Sequence, residues 1–182
     1  MLMTRYAKIV MSLVLAAFLL LVTFDNLTDY DSNFQFVRHV MSMDTTFPGN
    51  ALMYRSVTTP ALWHLAYAII IASQAAAGIL FLVGAVRLFQ ARHAPGATFN
   101  QAKTWVIAAS ALGFVIFFFM FMVVGGEWFS MWQSANWNAQ EAAFRFYVAV
   151  LGVLIFVSLP DGDLPGAGDA SRAKPRRGGN VL

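Results

Sequence analysis

A chain of 182 residues is the size of one domain. Hydrophobic residues make up 59% of it and charged residues only 12%, about half the charged share of a soluble domain, so lipid must be the solvent for most of the chain. The absence of cysteine excludes disulfides, thiolate nucleophiles and cysteine-ligated metals, and a net charge of only +3 gives no basis for nucleic-acid binding.

The first apolar run, Ile9 to Phe24, is bounded by Lys8 and Asp25. It is slightly short of the roughly 20 residues that cross a bilayer core. A snorkelling Lys8 and an interfacial Tyr6 recover the missing turn. The residues before Asp25 carry no small-x-small cleavage pattern, so the segment reads as an uncleaved anchor.

The segment after it, Asp25 to about Thr59, is long and polar in places. Asp29 to Ser32 offers turn and cap residues. From Asn33 to Met43, Phe34, Val37, Val40 and Met41 fall on one helical face, with Arg38, His39 and Ser42 on another. This pattern predicts a short helix lying across the ends of the spans with its apolar face inward. An Arg38 ion pair with Asp29, Asp31 or Asp44 would hold it there. Phe47-Pro48-Gly49-Asn50 reads as a turn.

The second charge-free run extends from Ser56 to Val86, with Pro60 suited to a first helical turn. A loop containing Pro95-Gly96 joins it to the third run, between Lys103 and Glu127, which includes the Phe- and Met-rich stretch Phe114 to Met122. That stretch faces lipid, a second subunit or a quinone. The fourth run is uncharged from Phe146 to Pro160. Asn138 and Glu141 suggest a capping box ahead of it, and Glu141 with Arg145 an i,i+4 pair. Past Pro160 the composition turns to Asp, Gly and Pro, then to the basic run Arg172 to Arg177.

The fold expected is therefore an all-α membrane protein: a four-transmembrane-helix bundle with a long, partly helical first outer loop. The spans are about 6–25, 60–87, 103–126 and 139–159. The bundle occupies 1–160, and 161–182 forms a basic, flexible cytoplasmic tail. Nine of the 12 Lys and Arg residues fall on one side of this arrangement and three on the other, which puts both termini in the cytoplasm.

Little in the sequence points to catalysis. His39 and His64, both near the outer surface, are the only candidates for a haem or metal site. The aspartates at 25, 29, 31 and 44 match no calcium-loop spacing. Mid-span polarity is confined to Ser73, Gln74 and Ser110. The small-xxx-small spacings Ala68-Ala72-Ala76, Ser73-Ala77 and Ala109-Gly113 permit close approach of helices, within the bundle or to another protein.

The stretch from Phe24 through Asp29-Tyr30-Asp31-Ser32-Asn33 and Val37-Arg38-His39 to Asp44 and Phe47-Pro48, followed by Tyr54-Arg55 and Pro60, resembles a bacterial family of predicted small integral membrane proteins. The resemblance covers roughly residues 5 to 160. It implies a bacterial cytoplasmic (inner) membrane location and carries over no catalytic residue. It marks Asp29, Tyr30, Asn33, His39, Asp44 and Phe47, with Arg38 beside them, as candidates for partner binding. The role expected is a non-catalytic accessory subunit or assembly partner of other membrane protein subunits, with anionic lipid headgroups at the basic tail. The alternatives are a small-solute carrier or channel, and a haem- or metal-binding redox protein.

Overall fold

The computed structural model describes residues 1–165. Among them every regular element is helical: α1 (Leu2–Thr28), α2 (Tyr30–Ser42), a 3-10 turn (Met53–Arg55), α3 (Pro60–Gln90), α4 (Gly96–Ala102), α5 (Thr104–Phe114), a π-helix (Val115–Trp128), a second 3-10 turn (Met131–Gln133) and α6 (Gln140–Ser158). Four stretches are long and apolar enough to cross a membrane: Leu2–Thr28, Pro60–Gln90, Gly96–Trp128 and Gln140–Ser158. The expected four-helix membrane bundle is thus the fold.

The helices form a ring in which α1 packs along α3, α3 on α5, α5 and the π-helix on α6, and α6 back on α1. Two glycines of α3 set the closest approaches. A Cβ on Gly78 would lie 2.9 Å from Leu20 Cγ of α1, and one on Gly84 would lie 2.9 Å from the backbone nitrogen of Val106 in α5. Between them Leu19, Phe81, Leu88, Phe99, Val106 and Ile116 are fully buried.

The spans differ from expectation at their ends. α1 starts at Leu2 and holds Lys8 1% exposed, so this lysine does not snorkel to a headgroup. Its ammonium group has protein partners instead. The expected loop after α3 contains α4, so the third membrane-spanning rod starts at Gly96. The capping box before α6 does not form. Asn138 Oδ1 accepts from the Gln140 N–H at 3.0 Å, while Glu141 pairs forward with Arg145.

The second half of the third rod is wound with the wider i→i+5 turn throughout, and the Phe129 N–H closes it onto Val124 O at 3.0 Å. Such helices are rare and mostly single turns. Here Ile116 and Phe117 are buried while Phe118 and Phe119 face outward.

The lid helix stands as the sequence pattern has it, but starts earlier. A one-residue break at Asp29 separates α1 from α2. Phe34 and Val37 pack against Tyr67 and Ile71 of α3, Val40 packs near Phe129 and Met131, and Met41 is half-buried between the two groups. Met43 ends the helix in the left-handed conformation. The Phe47–Asn50 turn is present, with Gly49 at φ 76° and the Asn50 N–H on Phe47 O, as Pro then Gly at the central positions favours.

At the opposite end, Asp161 to Asp163, grouped with the tail by composition, are bonded to the bundle. The basic run from Arg172 to Arg177 lies outside the described residues.

Candidate functional site

Beneath the lid the four helices leave two adjoining spaces. The larger, about 400 Å³, is a chamber whose walls carry Asn26 of α1, Tyr67 and Gln74 of α3, Phe117 of the π-helix and Ala143 of α6. Its floor is a trio of rings: Phe18 lies 4.8 Å from Phe146 and 6.4 Å from Phe117, and Phe117 lies 5.1 Å from Phe146, all between centroids. Its roof is the lid, with Asn33 and Ser32 at the water-facing rim and Trp137 opposite. No charged side chain lines it. The smaller space, about 210 Å³, lies under the second half of the lid, between α3 and the π-helix, and is lined by apolar side chains such as Val40, Ile69, Met120 and Val124. Phe36 of the lid and Phe121 of the π-helix line both spaces and stack 6.0 Å apart between them.

The polar group of the chamber is a pair of amides. Asn26 Nδ2 donates to Gln74 Oε1 at 2.8 Å, and the Tyr67 hydroxyl donates to the Asn26 carbonyl at 3.3 Å. Asn26 and Gln74 are 6% and 4% exposed. Gln74 is one of the three polar residues, with Ser73 and Ser110, that the sequence places within a span. Asn26 and Tyr67 did not stand out, because Asn26 reads as the first loop residue after Asp25 and Tyr67 as an interfacial aromatic. A helix extended by one turn past Asp25 is what turns Asn26 inward.

The candidate partner-binding residues divide around the lid. Tyr30 is hydrogen-bonded to His64 Nδ1 at 2.8 Å, and Phe34 stacks on the same imidazole at 4.2 Å. On the other side His39 Nδ1 donates to both oxygens of Asp44 at 2.9 and 2.8 Å, with the ring 4.6 Å over Trp137. The two histidines therefore serve different contacts, and among the described residues no group of three or more His, Asp or Glu side chains converges on one point. Arg38 does not pair with Asp29, Asp31 or Asp44. It donates to Gln35 Oε1 at 3.2 Å and lies 5.8 Å over the Trp63 ring. The reason is geometric: Asp44 is taken by His39, Asp31 accepts from Gln35, and Asp29 accepts from Ser32. Asn33 stands exposed at the chamber rim. Phe47 is exposed and meets Trp132 edge-on at 5.8 Å.

The far end of the bundle is closed by a buried clasp of charges. Lys8 and Lys103 bring their ammonium groups to Asp161 Oδ2 at 2.6 and 2.5 Å, and both donate to Leu159 O at 2.7 Å. Their side chains are 1% and 3% exposed and that of Asp161 7%. Arg5 Nη1 donates to the carbonyls of Arg92 and Ala94 at 2.9 and 2.7 Å and Nη2 to that of Gly162 at 2.8 Å, with its guanidinium 4.5 Å over Phe99. Asn100 and Asp161 exchange two further bonds of 3.0 Å. Burial alone would push the Asp161 carboxyl up; the hydrogen bonds and charges of Lys103 and Lys8 outweigh it and hold it below its usual value of 3.8. Only one signal of this clasp is visible in sequence, a carboxylate directly after the helix-stopping Pro160.

No curated protein and no solved structure matches this chain. A family model does, over residues 4–160, and its description agrees with the four apolar helices and the bundle they form. The chain belongs to the predicted small integral membrane protein family (DUF2165).

Proposed function

We propose that the protein works by contact, as a non-catalytic accessory subunit or assembly partner within a larger membrane complex. The observation that carries this reading is the lane of Ala68, Ala72 and Ala76 on α3. All three are exposed, along one face of the helix. By contrast Ala77, Gly78 and Gly84 are buried inside the bundle, the two glycines at close approaches of α3 to α1 and α5. The alanine lane is thus a flat strip left for a helix from outside, where association in lipid depends on close backbone approach. The exposed Tyr54 and Phe47 and the half-buried Trp63 stand at the lid end of the same molecule. The membrane intended is the bacterial cytoplasmic membrane, with the clasp end inside and the basic tail near anionic headgroups.

The test is gentle solubilisation, a native mass, and a photo-crosslinking amino acid at position 72. A stable second protein joined to residue 72 is the expected result. A strictly monomeric particle with no crosslinked protein overturns it. A carrier function draws support from the chamber, but the phenylalanine floor closes that space toward the clasp end. Saturable solute flux in reconstituted vesicles, abolished at Gln74, would be needed to favour it.

A further inference from the structure

We propose that the paired spaces under the lid bind an uncharged, membrane-soluble amphiphile, with a carbonyl-bearing head against Gln74 in the chamber and an apolar chain in the annex beyond Phe36 and Phe121. The argument starts from the amide pair. Gln74 is bonded through Oε1 alone, and its Nε2 donates to nothing among the described residues. Gln74 is 4% exposed, yet its Nε2 is not fully enclosed, so that donor is open to the chamber it lines. A donor left unmet costs free energy where lipid replaces water. Exchanging the assigned oxygen and nitrogen of both amides would move the free donor to Asn26 but leave the pair offering one NH₂ and one carbonyl oxygen to the chamber. A carbonyl oxygen answers the free NH₂ in either assignment.

The rest of the lining selects the remainder of the molecule. Without a charged side chain, the chamber offers no counter-ion, so a phosphate or carboxylate head would be desolvated unpaired. The flat faces of Phe117, Phe121, Phe146 and Trp137 suit a planar or chain-like apolar body. The annex shares Phe36, Val37, Ile70 and Phe121 with the chamber, so the two spaces adjoin beneath a single helix, and one molecule would fill both by parting the Phe36–Phe121 stack. Ala142 of α6 is exposed and Val22 of α1 half-buried, and both line the chamber, so they stand at its edge. This uncharged carbonyl chemistry has two sources in a membrane, an isoprenoid-type quinone and an acylglycerol ester.

The purified protein in detergent is titrated with decyl-benzoquinone, with dioctanoylglycerol and with decane, and its thermal unfolding midpoint is followed. One or both carbonyl compounds should raise it saturably, by about 5 °C at high excess, and which one does so identifies the source. Gln74→Leu should weaken that response about tenfold. Ala142→Phe, a substitution at an exposed rim position that leaves the core untouched, should abolish it. Equal responses to decane, responses unchanged in Ala142→Phe, or no saturable response to either carbonyl compound each overturn the proposal. It stands apart from the accessory-subunit reading, since neither a partner nor the alanine lane enters it.

Discussion

Asp161 takes two ammonium groups onto one carboxylate oxygen, from helices at opposite ends of the first hundred residues. Removing one partner of a buried pair leaves the other charged and desolvated, at a cost of about 3–5 kcal/mol. Asp161→Asn should therefore lower the unfolding midpoint by many degrees, whereas Glu141→Gln, which breaks only the exposed pair with Arg145, should leave it almost unmoved. The pH dependence has a definite sign. A carboxyl held below its unfolded value stabilises the fold above that value and loses its contribution as pH falls through the folded one. With 3.8 as the ordinary value, the clasp should be intact at neutral pH and weaken below about pH 4. Fluorescence of Trp105, two residues from Lys103, is the reporter for that opening, and Asp161→Asn should flatten the acid response.

The lid shows which parts of an element are legible in advance. Apolar spacing alone marked Phe34, Val37 and Val40 as inward, and they are buried, because a short helix is marginal in water and holds only through the face it buries. The partner of Arg38 is not legible, since three aspartates, at 29, 31 and 44, lie within reach in sequence and only the folded loop decides which are already occupied. Val37→Asp should forfeit roughly 1.5–3 kcal/mol of burial, and add a buried charge. Amide exchange over residues 30–42 should rise sharply. Arg38→Ala should leave that exchange nearly unchanged, as it breaks one bond to Gln35 in the same helix. For α3, a methyl group at Gly84 meets the backbone of Val106, so Gly84→Ala should destabilise the α3–α5 packing by about 2 kcal/mol, read as a lower unfolding midpoint. The π-winding of Val115–Trp128 had no sequence signal at all: a run of phenylalanines fits either turn, and the choice is made by what the rings meet in the folded bundle.

For the molecule as a whole, charges and apolar runs are enough for the number and order of the four membrane-crossing stretches, because a bilayer demands long uncharged stretches and little else. The two places where chemistry gathers, the amide chamber and the charge clasp, were hardest to read. Each is assembled from residues far apart in the chain, Asn26 with Gln74 and Lys8 with Asp161, and such pairings are set by tertiary packing. The clasp places residue 3 and residue 165 at one end and Tyr54 at the other. The chain has no cysteine of its own, so single substitutions report without background. Met3→Cys and Pro165→Cys should react with an impermeant maleimide from the same side of sealed vesicles, and Tyr54→Cys only from the opposite side.

The clasp also has a history in time. Lys8 and Lys103 are made early, and the carboxylate that neutralises both arrives only with Asp161, after the last helix. Until then neither lysine has this counter-charge. Burial of both ammonium groups as an ion pair therefore has to wait for Asp161. A chain broken off before that point lacks the carboxylate that both ammonium groups meet. The same contact that holds the bundle together thereby records that the whole bundle has been made.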